Sequence, residues 1–182
     1  MPSPHSRVPF SARIGSIKMT AAQGWTAGNK TGEAGLVLER FQGREGRAAL
    51  LNALRGQFLV DGSTELAELI LAASQLHEFA PGSPLFTQGE RGSHLLFILA
   101  GQVSVQVDGA EIATLGAGIH VGEIALLEPF QVRSATVKAK DSVVVAQISG
   151  QKFGEIAKHH PELWRRLAIE LSRRLVKTQL KG

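Results

Sequence analysis

The chain has 182 residues, a formal net charge of +4 and 43% hydrophobic residues, which fits one ordinary domain with a tail and a sizeable core. Its lack of cysteine excludes disulfide frameworks, thiolate nucleophiles, cysteine zinc sites and Fe–S clusters. The longest apolar run, Leu95–Ala100, is far too short to span a membrane.

The charge is unevenly spread. Residues 1–32 carry Arg7, Arg13, Lys18 and Lys30 with no acid, the middle is net acidic, and residues 151–182 carry eight bases against three acids. Basic ends can meet nucleic acid or an anionic surface. Here no aromatic–basic interleaving or recognition motif accompanies them, so they read as a solvated tail and a solvated helix face. Residues 1–32 are rich in Ser, Gly and Pro, lack apolar periodicity, and read as a disordered basic tail without a secretory h-region.

A domain is expected over residues 33–182. Leu36, Leu38 and Phe41 suggest a short helix ending near Gly43. Leu50, Leu51, Leu54 and Phe58 recur at helical spacing and predict a second helix, Arg47–Phe58. Asp61-Gly62-Ser63 is a turn ending in a good N-cap, and Leu66, Leu69, Ile70 and Ala73 predict a third helix. Together these form a helical cap over 33–75.

From Leu76 to about Ile148 the period is two. Gly89, Gly92, Gly101, Asp108-Gly109, Gly116 and Gly118 punctuate short strands, and Val103, Val105 and Val107 alternate with Ser104 and Gln106. The fold class is mainly β with flanking helices: a β-roll or jelly roll of roughly eight strands over 76–150. C-terminal helices fill 151–182. Lys152–Lys158 is short, and Pro161 opens a longer lid helix running to about Lys181. Trp164, Ala168, Leu171, Leu175 and Thr178 make a coiled-coil-like seam, so a homodimer through residues 161–181 is an expected partner arrangement. Leu163 and Leu167 widen the apolar face and should pack on the roll.

One segment breaks the strand pattern. Gly122 leads into a short apolar helical turn, Glu123 to Leu127, that stops before Pro129. The first turn of such a helix offers free N–H groups that suit an anion. Arg133 and Ser134 open the next strand and can return to the same place. A guanidinium fork, a hydroxyl and several amides would then converge, as a phosphate requires. Glu123 would repel a phosphate but accept well from a sugar hydroxyl. The combination reads as a site for a phosphorylated sugar in a β-roll.

The run Gly122-Glu123-Ile124-Ala125-Leu126 followed by Arg133-Ser134-Ala135-Thr136 resembles the phosphate-binding cassette of the cyclic nucleotide-binding domain family. The eleven-residue step from Gly122 to Arg133 is similar to that of the bacterial catabolite activator branch, and the resemblance extends over about residues 48–182. It implies that Glu123 accepts the ribose 2′-OH, that Arg133 pairs with the cyclic phosphate, and that Ser134 donates its hydroxyl. It implies a cradle of amides from Ile124, Ala125 and Ala135, a base wall from Val103 and Val105, and Arg174 and Thr178 against the purine. The implied ligand is cAMP, with cGMP behind it. Ile119 and Val121 depart from the family's acid and aromatic before the cassette, Gln179 replaces a second hydroxyl, and the helix-turn-helix of the activator would begin where this chain ends. Direct DNA binding is therefore not expected.

Other chemistries find little support. His77, His94 and His120 are scattered singly and His159-His160 precedes Pro161, which is not a metal-ligand pattern. No nucleophile–base motif, phosphate loop or carboxylate pair is present, so neither a catalytic site nor a cofactor is expected. The reading is a cytoplasmic sensor domain whose lid helix repacks on binding. The rivals are a ligand-free association scaffold with a vestigial pocket and a fragment of a larger regulator, channel or kinase.

Overall fold

A computed structural model describes residues 40–128 and 131–179, with side chains up to Val176. The expected tail over 1–32 and the apolar Leu36 and Leu38 lie outside the described residues. The helical cap has two helices, α1 (Gly43–Arg55) and α2 (Thr64–Ala73). Helix α1 starts at Gly43, where the sequence suggested a helix end, and stops at Gly56 before Phe58. Gln57 to Asp61 then form tight turns, with Asp61 N–H donating to Gln57 O at 2.9 Å. Ser63 caps α2 as expected, its Oγ accepting from Leu66 N–H at 3.2 Å.

Eight strands follow: β1 (Gln75–Phe79), β2 (Pro84–Phe86), β3 (His94–Ala100), β4 (Gln102–Val107), β5 (Ala110–Gly116), β6 (His120–Val121), β7 (Thr136–Ala139) and β8 (Val143–Ser149). They form two antiparallel four-stranded sheets ordered β1-β8-β3-β6 and β2-β7-β4-β5. A one-turn helix α3 (Ile124–Leu127) separates β6 from β7. Helices α4 (Gly150–His159) and α5 (Glu162–Gln179) complete the described chain.

Two apolar clusters explain the sequence pattern. Leu96 and Ile98 of β3 with Val143 and Val145 of β8 face the second sheet. Leu95, Phe97 and Leu99 with Val144, Ala146 and Ile148 face the helices. Strands β3 and β8 are thus covered on both faces and read as continuous apolar runs, whereas β4 alternates valines with the polar Gln102, Ser104 and Gln106. Leu163 and Leu167 of α5 are fully buried in the helix-side cluster, where Phe153 meets Trp164 edge-on at 5.3 Å between ring centroids. The predicted seam is divided by this packing: Trp164 and Leu171 lean on the core, while Ala168 and Leu175 face outward.

Leu54 is fully buried among α1, α2 and the helix-facing side of β3. Leu54→Ala should destabilise the fold by about 2–5 kcal/mol in urea titrations, because the apolar contacts are lost and a cavity remains.

Candidate functional site

Arg133 lies just before β7, which begins at Thr136 and not at Arg133 as the sequence suggested. Backbone bonds to the β2–β3 connection place it: Arg133 N–H donates to Glu90 O at 2.8 Å, and Gly89 N–H donates to Arg133 O at 2.9 Å. Its guanidinium is buried. Nη1 donates to Gly122 O at 3.3 Å and Nη2 to His94 O at 3.0 Å. The guanidinium carbon stands 3.8 Å from the centroid of the Phe86 ring, a cation–π arrangement that partly replaces lost hydration. Burial pulls the Arg133 pKa down, opposed by the Glu123 and Glu90 carboxylates.

Glycines make room for this arrangement. Gly122 has φ +91°, and a Cβ there would stand 2.8 Å from both Arg133 Nη1 and His94 O. A Cβ at Gly92 would stand 2.9 Å from Arg133 Nη2. The first position needs glycine for backbone angle and for space, the second for space alone.

Glu123 immediately precedes α3 and is buried. Its ion pair is with Arg174 of α5 rather than with Arg133. The same Arg174 donates to His120 O at 2.9 Å and to Glu170 Oε1 one helical turn earlier. Glu170 Oε2 in turn lies 3.3 Å from His120 Nε2. Burial first, and the Arg174 charge second, push the His120 pKa down to about 3, so this contact is a polar one to a neutral ring and not an ion pair. Burial, with Arg133 and His77 nearby, holds His94 down at about 4. Sequence reasoning placed Arg174 against a purine. It did not find the carboxylate pair and histidine around it, whose partners lie on two distant segments.

Arg133, Glu123, Glu170 and Arg174 border one cavity of about 900 Å³, within the size range of small-molecule sites. Gly122, Glu123, Ile124, Ala125, Arg133, Ser134 and Ala135 line its cassette end. Ser134 and Ile124 are exposed there. The Ala125 amide, expected to be free for an anion, instead donates to Gly122 O at 3.3 Å, because the tight turn at Gly122 brings that carbonyl within reach. The roll wall is apolar, with Val105 on it. Val103 is not on that wall: it is fully buried between the sheets, paired with Ala139 and Leu115 in register. Two residues along β4, Val105 reaches the cavity instead. The backbone of Thr178 belongs to α5, and its side chain lies outside the described residues. Among the described residues, no group of three or more His, Asp or Glu side chains is placed to hold a metal ion, and no helix is long and apolar enough to cross a membrane.

Residues 76–160 match the family model described as the cyclic nucleotide-binding domain. The chain is 40% identical over 139 residues to the Pycsar effector protein XpPycTIR of Xanthomonas perforans, covering 76% of this chain and 46% of that protein. It is 34% identical over 119 residues to the cAMP-activated global transcriptional regulator CRP of Escherichia coli O157:H7, covering 63% and 57%. Among solved structures, the catabolite activator protein of Thermus thermophilus superposes with a TM-score of 0.63 at 27% identity, over 69% of this chain and 61% of that one. The chain spans about half the length of the curated relatives it matches.

Fully buried His120 and half-buried His94 set a pH dependence. Both have folded pKa values lowered from 6.5, so their contribution is fully present above pH 6.5 and is lost as pH falls toward 4 and 3. Thermal midpoints should therefore drop between pH 7 and pH 5. His120→Phe should flatten that drop without abolishing it, since His94 remains. An unchanged pH slope in the variant would show that His120 does not carry the effect.

Gly122→Ala should lower the thermal midpoint and disturb Arg133, because the new methyl group meets a backbone carbonyl in a positive-φ turn. Melting curves would record the first effect and ligand titration the second.

Proposed function

The chain belongs to the cyclic nucleotide-binding domain family through residues 76–160, and from that premise we propose that it is a cyclic nucleotide sensor with cAMP as its first ligand and cGMP as its second. The observation that carries this reading is the meeting of Arg133, Ser134 and Glu123 with the lid-helix Arg174 on one cavity. The cAMP preference draws on what the names of relatives say of those proteins.

The mechanism follows from what each group holds before ligand arrives. Arg133 donates to two neutral carbonyls. A cyclic phosphate is a better acceptor, because bonds between two charged groups are shorter and stronger. Glu123 is engaged by Arg174. A ribose hydroxyl that donates to Glu123 competes with that contact. Binding at the cassette therefore changes the grip on α5, and the ligand shifts the population between two placements of this helix.

The output is a changed surface along α5, where Ala168, Leu175 and Val176 face outward. That face suits a homodimer through residues 161–181. The domain acts by binding and not by catalysis, and it works in the cytoplasm, where cyclic nucleotides are made and read. It regulates whatever longer assembly carries it.

Calorimetric titration of cAMP, cGMP and the two cyclic pyrimidine nucleotides into wild type and Arg133→Leu tests this reading. Loss of a charge-assisted phosphate contact should weaken binding at least about tenfold. A cyclic nucleotide other than cAMP binding best would overturn the ligand order but keep the sensor. No heat and no thermal shift with any of the four, from folded protein, would leave an association scaffold.

A further inference from the structure

The cavity has a third wall that the cassette pattern does not include. Phe58, from the turn after α1, lines it together with Arg173 of α5. The Arg173 guanidinium carbon lies 5.0 Å from the centroid of the Phe58 ring. Arg173 and Arg174 are neighbours with different tasks. Arg174 turns inward to Glu123, Glu170 and His120 O. Arg173 is exposed and rests on the aromatic face.

The turn that presents Phe58 is held from several sides. Gln57 is fully buried and its Nε2 donates to Ile98 O at 3.0 Å. Leu59 and Val60 are fully buried in the helix-side core. Arg166 of α5 donates to Leu59 O at 2.8 Å and pairs with Asp61 at 3.0 Å. Amid these anchored neighbours Phe58 is only half-buried, and it lines the cavity. A core role would have placed the ring with Leu59 and Val60. A ring carried on an anchored turn at a cavity wall offers a stacking surface at little ordering cost.

We propose that Phe58, backed by Arg173, is the base-stacking residue of this site, so that the helical cap supplies one wall of the ligand pocket. This rests on the cyclic nucleotide reading above. With the phosphate on Arg133 and the ribose on Glu123, the base must lie against the rest of the cavity. That remaining lining includes the apolar surface of Val105, Ile112 and Leu115 on the roll, and Phe58 with Arg173. Aromatic rings and guanidinium planes both stack on bases, and they do so for every base because each has a π-face. Phe58 therefore contributes affinity across bases and leaves discrimination to groups at the base edge. It also ties the cap to the lid, because Arg173 of α5 rests on the same ring.

The test titrates the four common cyclic nucleotides into wild type, Arg133→Leu, Phe58→Leu and Phe58→Trp. Phe58→Leu keeps apolar volume without a π-face. It should lose roughly tenfold in affinity, by a similar factor for each nucleotide that wild type binds. Phe58→Trp should restore binding, and its added fluorescence should be quenched at saturation beyond the wild-type change. Unliganded melting temperatures keep stability apart from binding. If wild type binds and Arg133→Leu does not, unchanged affinity in Phe58→Leu or an unquenched Phe58→Trp overturns the proposal alone. If wild type binds none of the four, both this proposal and the sensor reading fall.

Discussion

A guanidinium cannot be buried in a β-roll without replacing the water it leaves. Arg133 meets that demand with two backbone carbonyls and an aromatic face. Much of the local structure follows from it. Gly122 takes a positive φ and brings its carbonyl to Nη1, Gly92 leaves space for Nη2, and Phe86 turns its ring to the charge. The carbonyls are neutral acceptors and one bond is long, so the arginine is housed without being fully satisfied. On the proposed reading, such a group is stable enough to fold and would still be available to an anion.

The second constraint is the matching of charges at α5. Glu123, Glu170 and His120 converge where the helix crosses the cassette, and Arg174 is the cation that lets two carboxylates approach. Neutral His120 adds no charge to the cluster. Removing Arg174 from this position would leave Glu123 and Glu170 facing each other in a poorly hydrated place. Whatever takes Glu123 away from Arg174 must therefore leave the arginine another acceptor, and Glu170 and the His120 carbonyl already serve as such. The helix can loosen from the cassette at one contact without losing its electrostatic balance.

The strand count, the N-cap at Ser63 and the burial of Leu163 and Leu167 were legible because each depends on local period or local chemistry. The cassette was legible because its spacing is carried in one short run of chain. The start of α1 was misplaced because Gly43 resembles a terminator, although its positive φ merely admits the first turn. Val103 was assigned to the pocket because alternation tells which face a residue shares, not how deep it sits. Val103 and Val105 share a face, yet only the second reaches the cavity. The Glu123–Arg174 pair spans 51 residues of sequence and the Arg166–Leu59 bond spans 107. No periodicity encodes such distances, so only the folded chain reveals them.

Those long-range contacts also explain why the cap matters to the site. Helix α5 is held at two levels, by Arg166 on the turn after α1 and by Arg174 on the cassette. Arg166 touches the backbone of buried residues and so fixes the base of the helix. Arg173 and Arg174, two turns further on, touch groups that a ligand would also want. On the proposed reading, a helix pinned at one end and held competitively further along would convert a small displacement at the cassette into a larger one toward its C-terminal end. The turn carrying Phe58 belongs to the pinned level but reaches the cavity, so both levels of the helix's contacts meet around one ring.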